Sequence, residues 1–212
     1  MAGTYRDIHE ACEAGEIEEV ERLIRTGVNI DVKNSFGVTP IHLAAEKGHT
    51  DTVKLLLDHG AEIDVKNNKG WTPIHWAAEK GHTETVNLLL DHGAKTDVKN
   101  NNGKIPIHWA AENGHTDTVK LLLGHGPTID VKNNDGWTPI HGAIRRGHTG
   151  TVKLLLDHGA NIDVQNNHGY TPINRAAWNG HSDIVRLLLS AGADPCIADN
   201  DGQTARDLDE TG

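Results

Sequence analysis

The chain has 212 residues, a formal net charge of −10, 23 glycines and two cysteines. That acidic surplus excludes the basic footprint that nucleic acid or an anionic membrane would need. Two thiols are too few for a disulfide framework, and no apolar run approaches the length that crosses a bilayer.

The first unit, 1–33, opens without an apolar signal core. Its segment Ile8-His9-Glu10-Ala11-Cys12-Glu13-Ala14-Gly15 aligns with Ile41-His42-Leu43-Ala44-Ala45-Glu46-Lys47-Gly48. Cys12 thus takes a small-residue core position and is expected to pack as a buried thiol. Rich in glutamate, this unit reads as an N-terminal cap with a polar outer face.

Full units follow at 34–66, 67–99, 100–132, 133–165 and 166–198, with a period of 33 residues. Such a period marks a stacked repeat array, in which each unit buries its apolar face only against its neighbours. In the second of them, Asn67-Asn68-Lys69-Gly70 is turn chemistry, and Thr72-Pro73 opens a helix with proline in the first turn, where no donor is lost. The pair Ala77-Ala78 lets helices approach, and Gly81 ends the helix. A second helix carries Val86, Leu88, Leu89 and Leu90 to Gly93, and Thr96 to Lys99 is extended. The remainder, 199–212, is expected to be a C-terminal cap lacking its second helix, with Arg206, Asp207 and Asp209 as a charged end. No linker or composition break interrupts the chain, so 1–212 reads as one domain. Cys12 and Cys196 fall in the first and last units, roughly 9–10 Å of stack per repeat apart, too far to pair. A reducing compartment, the cytoplasm in a natural protein, fits them.

The Thr-Pro-Ile-His-x-Ala-Ala pattern resembles the ankyrin repeat, nearly end to end. The resemblance implies an all-α ankyrin repeat solenoid of helix-turn-helix units with β-turn fingers. It also implies a non-catalytic protein-binding scaffold that uses the concave groove lined by fingers and first helices. Five near-identical units between atypical caps further resemble an engineered ankyrin library member. A natural microbial protein binding a host or cellular partner, or a folding design with no partner, are the alternatives. A monomer is expected.

Comparing the repeats with one another separates constant from variable columns. The second helices are nearly identical, whereas four columns diverge. Before the finger glycine stand Phe36, Lys69, Asn102, Asp135, His168 and Asp201; after it, Val38, Trp71, Lys104, Trp137, Tyr170 and Gln203. On the first helix, one column reads Leu43, Trp76, Trp109, Gly142, Arg175 and another Glu46, Glu79, Glu112, Arg145, Trp178, with Arg146 following Arg145. Positions three or four apart share a helix face. All eight aromatic residues fall in variable columns, Tyr5 aligning with Trp71, and none lies on the leucine-rich second helix. Tryptophan, tyrosine and arginine on a polar groove have the composition of a binding hot spot. The candidate binding residues are therefore Phe36, Val38, Leu43, Lys69, Trp71, Trp76, Lys104, Trp109, Asp135, Trp137, Arg145, Arg146, His168, Tyr170, Arg175 and Trp178. Arg145, Arg146 and Arg175 reverse the charge of the face and suggest an acidic end on the partner.

Fifteen histidines recur in register. Rows through His42 and His49 repeat at one-unit spacing, roughly 9–10 Å by helix-packing distances, whereas zinc needs ligands about 2 Å away. Structural roles are expected for both, and a helix-dipole contact for the row His59, His92, His125, His158. No metal or cofactor is expected. No phosphate-binding loop or nucleophile motif is present, and the carboxylates read as solvated charges rather than an acid–base pair. Ile105 in place of threonine, Asn174 in place of histidine, Ile144, Gly142, Gly124 and Pro127 depart from the pattern and are expected to weaken it locally.

Overall fold

The turn and helix signals recur as thirteen helices in a computed structural model that describes residues 7–126 and 128–209, with the backbone alone at 209. Among the described residues there is no strand. Tyr5 and Pro127 lie outside them, as does the side chain of Asp209. The chain divides into two units, Met1–Asn101 and Asn102–Gly212.

The first unit holds α1 (Ile8–Ala14), α2 (Ile17–Arg25), α3 (Pro40–Lys47), α4 (Thr50–Asp58), α5 (Pro73–Lys80) and α6 (Thr83–Asp91). α1, α3 and α5 pack side by side, and α2, α4 and α6 form a second layer. The second unit holds α7 (Pro106–Glu112), α8 (Thr116–Gly124), α9 (Pro139–Arg145), α10 (Thr149–Asp157), α11 (Pro172–Trp178), α12 (Ser182–Ser190) and α13 (Ala205–Asp209). Here α7, α9, α11 and α13 pack in one layer and α8, α10 and α12 in another.

The first helices of the five full units, α3, α5, α7, α9 and α11, start at the predicted prolines. Alanine pairs such as Ala77-Ala78 are fully buried, which allows the close approach. In α6 the core is Val86 and Leu89, with Leu90 at its edge and Leu88 half-buried, so the leucine triplet is shared between core and surface. Cys12 is fully buried, and burial, helped by the charge of Asp7, pushes its thiol up to about 12; Cys196 is exposed. Gly48 ends α3 at φ 73°, where a Cβ would also lie 2.6 Å from the His82 ring.

The first-row histidines stitch neighbouring repeats together. His42 Nδ1 accepts the Thr39 backbone N–H at 3.2 Å and lies 2.8 Å from Thr39 Oγ1. A backbone N–H can only donate, so Nδ1 carries the lone pair and the proton sits on Nε2. Nε2–H then donates to the Trp71 carbonyl of the next repeat at 3.0 Å. His141 repeats this with Thr138 and the Tyr170 carbonyl. Ile105 offers no hydroxyl, and His108 keeps the backbone N–H and a 3.3 Å contact to the Trp137 carbonyl. Asn174 does the same work as a histidine. Its Oδ1 accepts from the Thr171 N–H at 2.9 Å and from the Thr171 hydroxyl, and its Nδ2 donates to the Ile197 carbonyl at 3.2 Å.

The fingers are held by asparagine. Asn67 Oδ1 accepts the N–H groups of Lys69 and Trp71 at 2.9 and 3.0 Å, which closes the turn beneath both variable columns. Asn68 reaches back to the preceding finger: its N–H donates to the Phe36 carbonyl and its Nδ2 to the Ser35 carbonyl. The set recurs in the second unit with Asn133, Asn134, Asn166 and Asn167.

Candidate protein-binding face

In the first unit, Asn34 Oδ1 holds the finger that presents Phe36, which is 71% exposed. Lys69 is exposed, and Leu43, Trp71 and Trp76 are half-buried. Trp71 and Trp76 meet edge to face at 6.2 Å and 84°, and Trp76 also meets the His42 ring at 6.0 Å. With Glu46, Asn67, Lys69 and Glu79 they line an open cavity of about 210 Å³. Val38 is a correction to the sequence reading. It is buried, because its side chain faces the core while its backbone is tied to Asn34 and His9.

In the second unit, Trp137, Tyr170 and Trp178 form a stacked ladder, with centroids 6.4 and 6.2 Å apart and interplanar angles of 11° and 17°. The His168 ring adjoins Tyr170 at 6.4 Å. The Arg175 guanidinium lies 5.0 Å from the Trp137 ring and 4.4 Å from the Trp178 ring. Planar guanidinium suits such stacking. Lys104 sits 3.9 Å above Trp109, and Asp135 is exposed at the finger tip.

Glu112 corrects the reading of the face charges. It is not solvated but 5% exposed, and it binds Lys104 at 2.5 Å and Arg145 directly, with Arg146 at 3.8 Å. Burial pushes its carboxyl up, but the Lys104 hydrogen bond and charge and the two arginines outweigh that and hold it below the usual range. Arg145 and Arg146 are therefore partly neutralised within the chain, and the simple picture of two free cations awaiting an acidic partner does not hold. Arg175 is buried rather than a surface charge. The signal for Glu112 was present in the sequence. Its column is followed one period later by Arg145, the only place in that column where opposite charges are neighbours.

Six further histidines are tied to backbone carbonyls. His49 and His82 place Nε2 at 3.1 and 2.9 Å from the Glu13 and Glu46 carbonyls. His59, His92, His125 and His158 place Nδ1 against the carbonyl four residues earlier, at the end of their helices. Among the described residues no group of three histidine, cysteine or acidic side chains could hold a metal ion, and no helix is long and apolar enough to cross a membrane.

The family model of ankyrin repeats matches the chain in three copies, over 8–102, 86–166 and 107–199. The chain belongs to the ankyrin repeat family. Among solved structures, the human ASB11 ankyrin repeat domain is similar at 31% identity, covering 96% of this chain and 91% of that one with a TM-score of 0.89. The ankyrin repeat domain of Bcl-3, described as a unique member of the IkappaB protein family, is similar at 28% identity, covering 99% and 98% with a TM-score of 0.83. No match was found among curated proteins. Ankyrin repeat domains generally mediate protein–protein interaction and are typically non-catalytic.

Proposed function

We propose that this ankyrin repeat protein is a non-catalytic binding module whose fingers and first helices engage a protein partner. The observation that carries the reading is the placement of its aromatic side chains. The Trp71–Trp76 pair in one unit and the Trp137–Tyr170–Trp178 ladder in the other each fall in the variable columns of their own unit, while isoleucine, leucine, valine and alanine fill the core. Rigid aromatics with a polar handle bring large contact area at little entropic cost, the composition of hot spots. Phe36 and Trp178, 71% and 53% exposed, extend that area on each unit. Near-identity of the units outside this face supports an engineered library origin. Affinity capture followed by titration of the captured protein tests the reading. Trp71→Ala or Trp137→Ala is expected to weaken binding by about 2 kcal/mol or more. Lys120→Ala, exposed on a second helix, is expected to leave it unchanged. Equal losses from all three would move the interface off this face.

A further inference from the structure

The first-helix column that carries Leu43, Trp76 and Trp109 carries Gly142 in the next repeat. The missing side chain leaves a cavity of about 170 Å³ within the second unit, bounded by Lys104, Glu112, Trp137, Arg145 and Arg175. Its floor is tight, since a Cβ on Gly142 would lie 3.3 Å from Glu112 Cβ. We propose that this cavity receives the carboxylate of an aspartate or glutamate side chain carried by a protein partner, with Arg175 as its counter-ion. The proposal rests on the reading of this face as a protein-binding one.

Arg175 carries the argument. It is 9% exposed, lines the cavity, and its Nε finds no hydrogen-bond partner. Among the described residues no carboxylate pairs with it. Its contacts over the Trp137 and Trp178 rings hold the guanidinium between them but supply no acceptor. A buried charge without a counter-ion is costly, and an incoming carboxylate would relieve that cost. Burial and the Arg145 charge pull the Arg175 guanidinium below its ordinary range, as expected of a cation short of an anion.

Charge balance selects a monoanion. Lys104 and Arg145 are engaged with Glu112, and Asp135 also lines the cavity. Among the lining residues three cations therefore face two carboxylates, which leaves one positive charge to satisfy; Arg146, 3.8 Å from Glu112, lies outside the lining. A phosphate dianion would overshoot that balance and meet Glu112 and Asp135 as like charges. The flat wall of Trp137 suits the methylenes of an acidic side chain. The Trp137–Tyr170–Trp178 ladder alongside offers contact to the surrounding partner surface.

Titration of the full chain with N-acetylglutamate N′-methylamide, followed by NMR at the Arg175 Nε–H and the indoles of Trp137 and Trp178, tests the proposal. A fragment of this size is expected to saturate in the millimolar range. The glutamine analogue and the phosphoserine analogue are each expected to bind at least about tenfold more weakly. Arg175→Gln should weaken glutamate binding by at least about tenfold. Gly142→Trp, which installs the residue found at 76 and 109, should abolish it; circular dichroism and thermal melting check both folds. Absence of saturation, equal binding of the glutamate and glutamine compounds, preference for phosphoserine, or binding that survives Arg175→Gln in a folded variant would each overturn it. The partner titrations with Trp71→Ala and Trp137→Ala read a different quantity. A failed fragment titration beside intact tryptophan losses would sink the carboxylate pocket and leave the binding face standing.

Discussion

Glu112 and Arg175 are the two residues whose environments differ most from what their columns suggest. Glu112 aligns with Glu46 and Glu79, which are half-exposed, yet it is buried among three cations. Glu112→Gln would leave Lys104, Arg145 and Arg146 without their acceptor charge. Arg145 and Arg146 are about half exposed, so water screens part of that loss, and a destabilisation of about 1–3 kcal/mol is expected from urea unfolding. Glu46→Gln should change stability by less than about 0.5 kcal/mol. Equal effects would show that the buried network contributes nothing beyond a surface charge. Side-chain identity reveals such a network only when columns are read across repeats: Arg145 matters because it stands one period after Glu112. The burial of Arg175 had no sequence signal, since it follows from two rings closing on it from neighbouring columns.

At the scale of the element, the repeat was legible almost completely. Proline at N1, the alanine pair, the positive-φ glycine and the leucine triplet each act locally, so their physics is written in short stretches. What the sequence did not declare is the direction of the asparagines. Asn67 and Asn68 read equally as turn residues, yet one closes its own finger and the other bonds the preceding one. The same logic explains why Asn174 is tolerated in a histidine column. Its amide supplies one acceptor and one donor at the places where the imidazole supplies Nδ1 and Nε2–H. Asn174→Ala would strand the Thr171 N–H, the proton of the fully buried Thr171 hydroxyl and the Ile197 carbonyl together. A loss of at least about 2 kcal/mol is expected by chemical denaturation, whereas Asn174→His should stay within about 1 kcal/mol of the parent. A harmless alanine would mean that water already serves these groups.

At the scale of the whole molecule, histidine is the residue whose repetition matters most, and metal and pH give opposite expectations for it. The first-row imidazoles spend both nitrogens on backbone groups, so chelation has no lone pair to use there. Excess chelator is accordingly expected to leave the melting temperature at neutral pH unchanged, and a clear drop would reveal a native-state metal site. Acid is different. Burial, reinforced by nearby lysine or arginine charge and only partly opposed by backbone hydrogen bonds, holds His42, His108 and His141 at about 4, against an ordinary 6.5. A depressed folded value means that the unfolded chain takes up protons first as the pH falls. The stability these residues contribute is thus fully present above 6.5 and is lost as the pH drops from there towards 4. Each pKa unit corresponds to about 1.4 kcal/mol, so each imidazole contributes on the order of 3 kcal/mol to the loss. Because each links one repeat to the next, the loss falls on interfaces that hold the array together. Thermal melts between about pH 7 and about pH 4.5 should show a steep fall in melting temperature. His141→Asn, which copies the arrangement at Asn174, should flatten that fall without changing its direction. A melting temperature that holds constant across the window would show that the row titrates as exposed imidazoles do.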